Sequence, residues 1–237
     1  MKKVLRIGAL SFLMLLGCQE KQQSEWIYLF NGSSLKGWRA YNETSLPSDW
    51  SIEGGSLTFN KEAKNEANYE GGKNIIYGLE EFENFELFLE WKVSEGGNSG
   101  IFYHLKEGFK EPSIVAPEYQ LIDDLKWSDY NNNVVLKEWQ KAGADYAMHT
   151  PDTTKKIIKP AGEWNTTKII FTPERVEHWL NGVKLLSFVP WTADWYDRKS
   201  KGKWKDSSNY GKFKSGYIGL QDHDNPIWFK NIKIKKL

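Results

Sequence analysis

The chain has 237 residues with 32 Lys and Arg against 31 Asp and Glu, a formal charge of +1, and 15% aromatic residues. Near-neutrality excludes a strongly basic nucleic-acid binder, and a mean hydropathy of −0.62 excludes a polytopic membrane protein. The aromatic content excludes a disordered chain, and a lone cysteine excludes an intrachain disulfide or a cysteine-built zinc site.

In chain order, Lys2, Lys3 and Arg6 precede an apolar run over 7–16, about half of what a membrane-spanning helix needs, so the run reads as a secretory leader. It ends at Leu15-Leu16-Gly17-Cys18, which resembles a bacterial lipobox. The resemblance implies cleavage after residue 17 and acylation of Cys18, with 18–25 as the acylated cysteine and polar linker. Gln19 stands where an enteric inner-membrane retention signal has Asp. The partner expected there is a lipid bilayer, and the expected location is the cell envelope, at the outer membrane facing the periplasm or the cell surface. Losing 1–17 removes Lys2, Lys3 and Arg6 and turns the formal charge from +1 to −2.

Residues 26–237 form one domain. Short alternating runs bounded by Gly, Asn and Pro dominate, and long helical stripes are scarce. Residues 50–59 predict a hairpin about Gly54-Gly55, and 60–73 an exposed polar loop. Over 85–93, Phe85, Leu87, Leu89, Trp91 and Val93 share one face; Glu86, Phe88, Glu90 and Lys92 share the other, which suits a concave binding surface. A helix is predicted over 134–141. Strands at 164–171 and 175–180 precede a hairpin at Asn181-Gly182 into 183–189. Residues 190–212 read as a long loop, whose Trp191, Trp195, Tyr196, Trp204 and Tyr210 either pack it down or form a sugar-facing wall. Strands at 217–221 and 227–234 close the chain as a pair. The sum is an all-β, two-sheet jelly-roll sandwich.

Three stretches could carry chemistry. Glycine-rich backbone from Gly96 to Gly100 runs into Ile101, Phe102, Tyr103 and His104, and reads either as a tight strand connection or as a place where a ligand or a neighbouring chain can approach closely. In the second, Glu118 and Gln120 share a strand face, and a β-bulge would bring Asp123 onto it. That would make a carboxylate pair, about 5 Å apart in retaining glycosidases. In the third, His223 lies between Asp222 and Asp224, where acids can fix its tautomer for acid–base work. His178 reads as structural. His104, His149, His178 and His223 show no metal-ligand spacing, so no metal or other cofactor is predicted.

Taken together the chain resembles the 3-keto-disaccharide hydrolase domain family over nearly all of 26–237. The likeness runs through Leu29-Phe30-Asn31-Gly32, Gly37-Trp38, Glu90-Trp91, Gly97-Asn98-Ser99-Gly100 and Glu118 to Asp123. It continues in Gly143-Ala144-Asp145-Tyr146, Gly162-Glu163-Trp164-Asn165, Asn181-Gly182, Gln221-Asp222-His223 and Asn231-Ile232. His104 stands where many members carry Arg. The resemblance implies a concanavalin-like jelly roll that cleaves 3-keto-disaccharides or related 3-keto-glycosides. The ketone acidifies the hydrogen on carbon 2, a base removes it, and the enolate expels the aglycone before water adds. Such a site needs a base, a donor for the enolate oxygen and an acid for the leaving group. Candidate bases are His104 and His223, and candidate acids Asp123 and Glu118. Glu90, Asn98 and Gln120 are candidates for binding hydroxyls, Tyr146 and His149 for the enolate side, and Trp191 and Trp195 for stacking on sugar. A divalent cation at the enolate is chemically plausible but has no ligand spacing behind it. Two other readings are a non-catalytic carbohydrate-binding lipoprotein and a conventional two-carboxylate glycosidase.

Overall fold

The computed structural model describes residues 25–59 and 73–237. The expected leader, Cys18 and nearly all of the 60–73 loop therefore lie outside the described residues. Two antiparallel sheets face each other, as the short alternating runs predict. The larger has the order β11-β10-β9-β6-β13-β4-β3, with β1 also on β13; the smaller has the order β2-β5-β12-β7-β8. Their strands are β1 Ile27–Phe30, β2 Trp38–Ala40, β3 Trp50–Glu53, β4 Ser56–Phe59, β5 Ile75–Tyr77, β6 Phe85–Val93 and β7 Asn98–Leu105. They continue with β8 Glu118–Ile122, β9 Asn165–Thr172, β10 Arg175–Leu180, β11 Val183–Phe188, β12 Tyr217–Leu220 and β13 Ile227–Lys236.

The period-two reading of β6 holds at every position: its five apolar residues are buried and the alternate four half-buried. Trp91 shows why an indole can sit here, because its Nε1–H donates to Thr167 Oγ1 at 3.0 Å on neighbouring β9. Between the sheets Phe85 stacks on Phe171, and Trp50 on Phe229. The Asn181-Gly182 turn has φ of 47° and 80°, the left-handed pair that a two-residue hairpin requires.

Three expectations are corrected. β12 and β13 do not pair: β12 lies between β5 and β7, while β13 lies in the other sheet between β6 and β4. Residues 221–226 thus cross the sandwich. No α-helix forms over 134–141, only one 3₁₀ turn at Glu138–Gln140; a four-residue helix, α1 Trp127–Tyr130, comes earlier. The 190–212 segment contains a helix, α2 Ala193–Lys201, capped by the Thr192 hydroxyl. Asp194–Arg198 and Asp197–Lys201 pairs support it one turn apart, and its last turn is basic.

The rings of that segment turn inward. Trp195, Trp204 and Tyr210 are buried with Met148 in a small separate core, Trp204 lying parallel to Tyr210 at 4.6 Å. Trp191 packs on the main core and donates its indole N–H to Gly211 O. Trp191 and Trp195, candidates for stacking on sugar, are instead packing residues.

Candidate active site

On the face of the five-stranded sheet that points away from the partner sheet is a polar cavity of about 270 Å³. Strand pleating chooses its floor. Ile101, Tyr103, Tyr119 and Leu121 point into the core, so Asn98, Phe102, Glu118 and Gln120 point out into the cavity. Register places Gly100 opposite Gln120 and Phe102 opposite Glu118. The 3₁₀ turn Pro112–Ile114, Tyr146, Lys203 and the crossing Gln221-Asp222-His223 supply the walls.

The close approach foreseen at the glycine-rich stretch is made by a neighbouring side chain. A Cβ on Gly100 would lie 2.1 Å from Glu118 Oε1, so the carboxyl occupies the space left by the missing side chain. Gly100→Ala should therefore evict the carboxyl, cost about 1–3 kcal/mol in urea unfolding, and lower turnover. Wild-type activity at unchanged stability would remove this role.

Glu118 is buried, and desolvation pushes its pKa up to about 8; the charge of Asp145 adds to the rise and that of Lys203 opposes it. At neutral pH it is a carboxylic acid with a proton to donate. Lys203, exposed at the cavity, donates to Tyr146 Oη at 3.3 Å and lies over the rings of Tyr146 and Trp204. Gln120 Nε2 donates to Gln140 O, which fixes the amide with its oxygen free. Asn98 Oδ1, Gln120 Oε1 and Gln221 Oε1 are buried acceptors with no donor among the described residues. Three such acceptors in one cavity suit a ligand rich in hydroxyl donors.

Of the residues singled out in the sequence, Glu118, Asn98, Gln120, Tyr146 and His223 converge here. The others are placed elsewhere. Asp123 fails as an acid because β8 carries no bulge and its register with β7 is regular. Its carboxylate instead accepts from the backbone amides of Gly96, Leu125 and Lys126. The Glu118–Asp123 pair of a conventional glycosidase is not formed. His104 has φ 51° and a buried ring, 4.1 Å from Phe171, whose Nε2–H donates to Glu83 O at 2.8 Å. Burial pushes its pKa down to about 4, so it is a neutral packing group outside the cavity. His178 is structural as read, between Tyr103 Oη and Gly143 O. His149 donates Nδ1–H to Asp145 and stacks on Phe188 at 3.9 Å, beside the site without lining it. Glu90 is on the outer face of the eight-stranded sheet, held by Lys230 and Asn231. Among the described residues no group of three or more His, Cys, Asp or Glu converges as metal ligands.

Sequence reasoning missed Lys203, Asn74 and Glu111, which also line the cavity. Lys203 had one signal, its place beside Trp204 in a polar segment that had no reason to bury rings. Residues 25–235 match the family described as 3-keto-alpha-glucoside-1,2-lyase-like domain. The chain belongs to that family. It is 35% identical over 232 residues to a 3-keto-disaccharide hydrolase of Bacteroides thetaiotaomicron, covering 90% of this chain and 78% of the relative. Two solved structures of candidate glycosyl hydrolases from Parabacteroides distasonis ATCC 8503 are also similar. One is 37% identical with a TM-score of 0.78, covering 90% of this chain and 94% of the other. The second is 29% identical with a TM-score of 0.66, covering 90% and 100%.

Proposed function

We propose that this glycosidase-type enzyme cleaves 3-keto-disaccharides and related 3-keto-glycosides by elimination followed by hydration. The observation that carries the reading is a buried Glu118, whose desolvation favours the protonated form, sharing one polar cavity with Lys203. Membership of the family and the relative's activity support the substrate class. His223, which lines the same cavity, takes the proton from carbon 2; imidazole is the side chain best suited to that transfer near neutral pH. The C–H electrons form the C2–C3 double bond, and the ketone oxygen becomes an enolate facing Lys203 and the Tyr146 hydroxyl. The enolate returns its electrons, the bond from carbon 1 to the aglycone oxygen breaks, and Glu118 protonates that oxygen. Water then adds at carbon 1, losing its proton to the Glu118 carboxylate, and the imidazolium returns a proton to carbon 2. Asn98, Gln120 and Gln221 accept from sugar hydroxyls. A binding module that works by aromatic faces alone is disfavoured, since Trp191, Trp195 and Trp204 are engaged in packing.

The test is to incubate the protein with a 3-keto-disaccharide and its unoxidised parent, in deuterated water, and follow monosaccharide release. Release from the ketone alone, with deuterium at carbon 2 of the product, is expected. His223→Ala should lower turnover about 10²–10⁴-fold, while His104→Ala, if folded, keeps it. Cleavage of the parent but not the ketone, or full activity of His223→Ala, would overturn the reading. We also propose that acylated Cys18 anchors the enzyme in the cell envelope. Labelled palmitate should enter the wild type and not Cys18→Ser; equal labelling defeats this.

A further inference from the structure

The face of the eight-stranded sheet turned away from the cavity carries a ladder of alternating cations and rings. Register places Lys233 of β13 beside Phe88 of β6, Phe88 beside Lys168 of β9, Lys168 beside Trp179 of β10, and Trp179 beside Lys184 of β11. Trp26, just before β1, continues the row, with the Lys233 ammonium 4.8 Å from its ring and 5.1 Å from that of Phe88. Lys168 lies 4.0 Å over Trp179, with Lys184 on the same ring at 5.8 Å. A second row has Lys92 between Trp164 and Trp228 at 5.2 and 4.6 Å. Strand spacing makes this face about 19 Å wide from β13 to β11. The rings are half-buried and so partly open to solvent.

We propose that this face lies on the anionic phospholipid surface of the bilayer to which Cys18 ties the chain. Three observations meet here. Indole and lysine together are the side chains that settle at a bilayer interface, the ring among headgroups and the ammonium on phosphate. On this face Lys92, Lys168, Arg175, Lys184, Lys230, Lys233 and Lys235 outnumber Glu86, Glu90 and Glu177 by seven to three, although the chain beyond residue 17 is net acidic. Trp26 is on this face, and the residues between it and Cys18 reach at most about 28 Å, so an acyl anchor holds this side of the sandwich at the membrane. The cavity, on the opposite sheet, then faces away from the bilayer and receives soluble sugar.

The proposal rests on the anchor reading for its orientation, and its test is independent of acylation. Residues 19–237, which hold every described strand, are sedimented with phosphatidylglycerol vesicles and with phosphatidylcholine vesicles. Partition onto the anionic vesicles that falls with added salt is expected, with little on the neutral ones. Charge reversal at Lys168, Lys184 and Lys233 together should lower it about a hundredfold and leave turnover of a soluble substrate unchanged. Lys110→Glu, outside this face, should change nothing. If the triple reversal unfolds, the triple Lys→Gln variant is read instead. No partition onto anionic vesicles, equal partition onto neutral ones, or partition indifferent to the three lysines overturns the proposal. So does capture by a soluble anionic polysaccharide without vesicle binding.

Discussion

Turnover of a 3-keto-disaccharide by Glu118→Gln is expected to fall about 10²–10⁴-fold, with substrate binding largely kept. The amide fills the same space above Gly100 but has no proton to give the leaving oxygen. Wild-type turnover should decline as pH rises through about 8, where the carboxyl ionises, and the residual activity of the variant should lack that alkaline limb. Stability carries the same signature. The folded pKa of Glu118 lies above its ordinary 4.5, so between these values the folded state holds a proton that the unfolded state has released. The stabilisation is complete below about 4.5 and is lost as pH rises through about 8. Urea midpoints at about pH 5 and about pH 9 should therefore separate for the wild type and draw together for Glu118→Gln. Full turnover in the variant, or an alkaline limb that persists, would remove Glu118 from the proton donor's place.

Lys203→Met should lower turnover about 10²–10³-fold, because on the proposed mechanism the enolate oxygen loses the cation that lines its cavity. The same change tests the coupling to Glu118. The Lys203 charge lowers the Glu118 pKa, so removing it should carry the alkaline limb of the residual activity to higher pH. Lys203→Arg keeps the charge and should restore part of the rate. Lys203 is exposed, so a melting temperature close to wild type separates this loss from unfolding. A limb that moves to lower pH would contradict the arrangement.

What was legible in the sequence was local. The β6 alternation, the hairpins at Gly54-Gly55 and Asn181-Gly182, and the shared face of Glu118 and Gln120 each depend on residues a few positions apart. Pairing across the fold was not local, and there the nearest partner misled. β12 and β13 adjoin in sequence, but β12 has backbone partners on β5 and β7, and β13 on β4 and β6. Asp123 was misassigned because no sequence signal distinguishes a bulged strand from one that ends in a carboxylate-capped turn. His104 was misassigned because its left-handed backbone swings the ring off the face that strand alternation gives it. The α2 segment is the reverse case: Thr192, the two i,i+4 ion pairs and the basic last turn were there to be read, and buried rings in a polar stretch hid them. Lys203 was missed because its one local mark, the neighbouring Trp204, is weak among so many lysines; its fixed place over the rings of Tyr146 and Trp204 depends on a partner far off in sequence.

The crossing from β12 to β13 has a mechanical consequence. Residues 221–226 are a strap fastened to one layer at each end, and the strap is stitched down between. Gln221 N–H donates to Gly100 O, Asp222 N–H to Asn74 Oδ1, and Asp224 N–H to Asp222 Oδ1. His223, the proposed base, rides on that strap, so its backbone is held before sugar arrives and less ordering entropy is left to lose. In the proposed mechanism the reach of the imidazole toward carbon 2 is thereby tied to the spacing of the two layers. On that mechanism, a core substitution that lets them drift apart by a fraction of an ångström should detune proton abstraction while Asn98, Glu118 and Gln120, all on one sheet, stay in place.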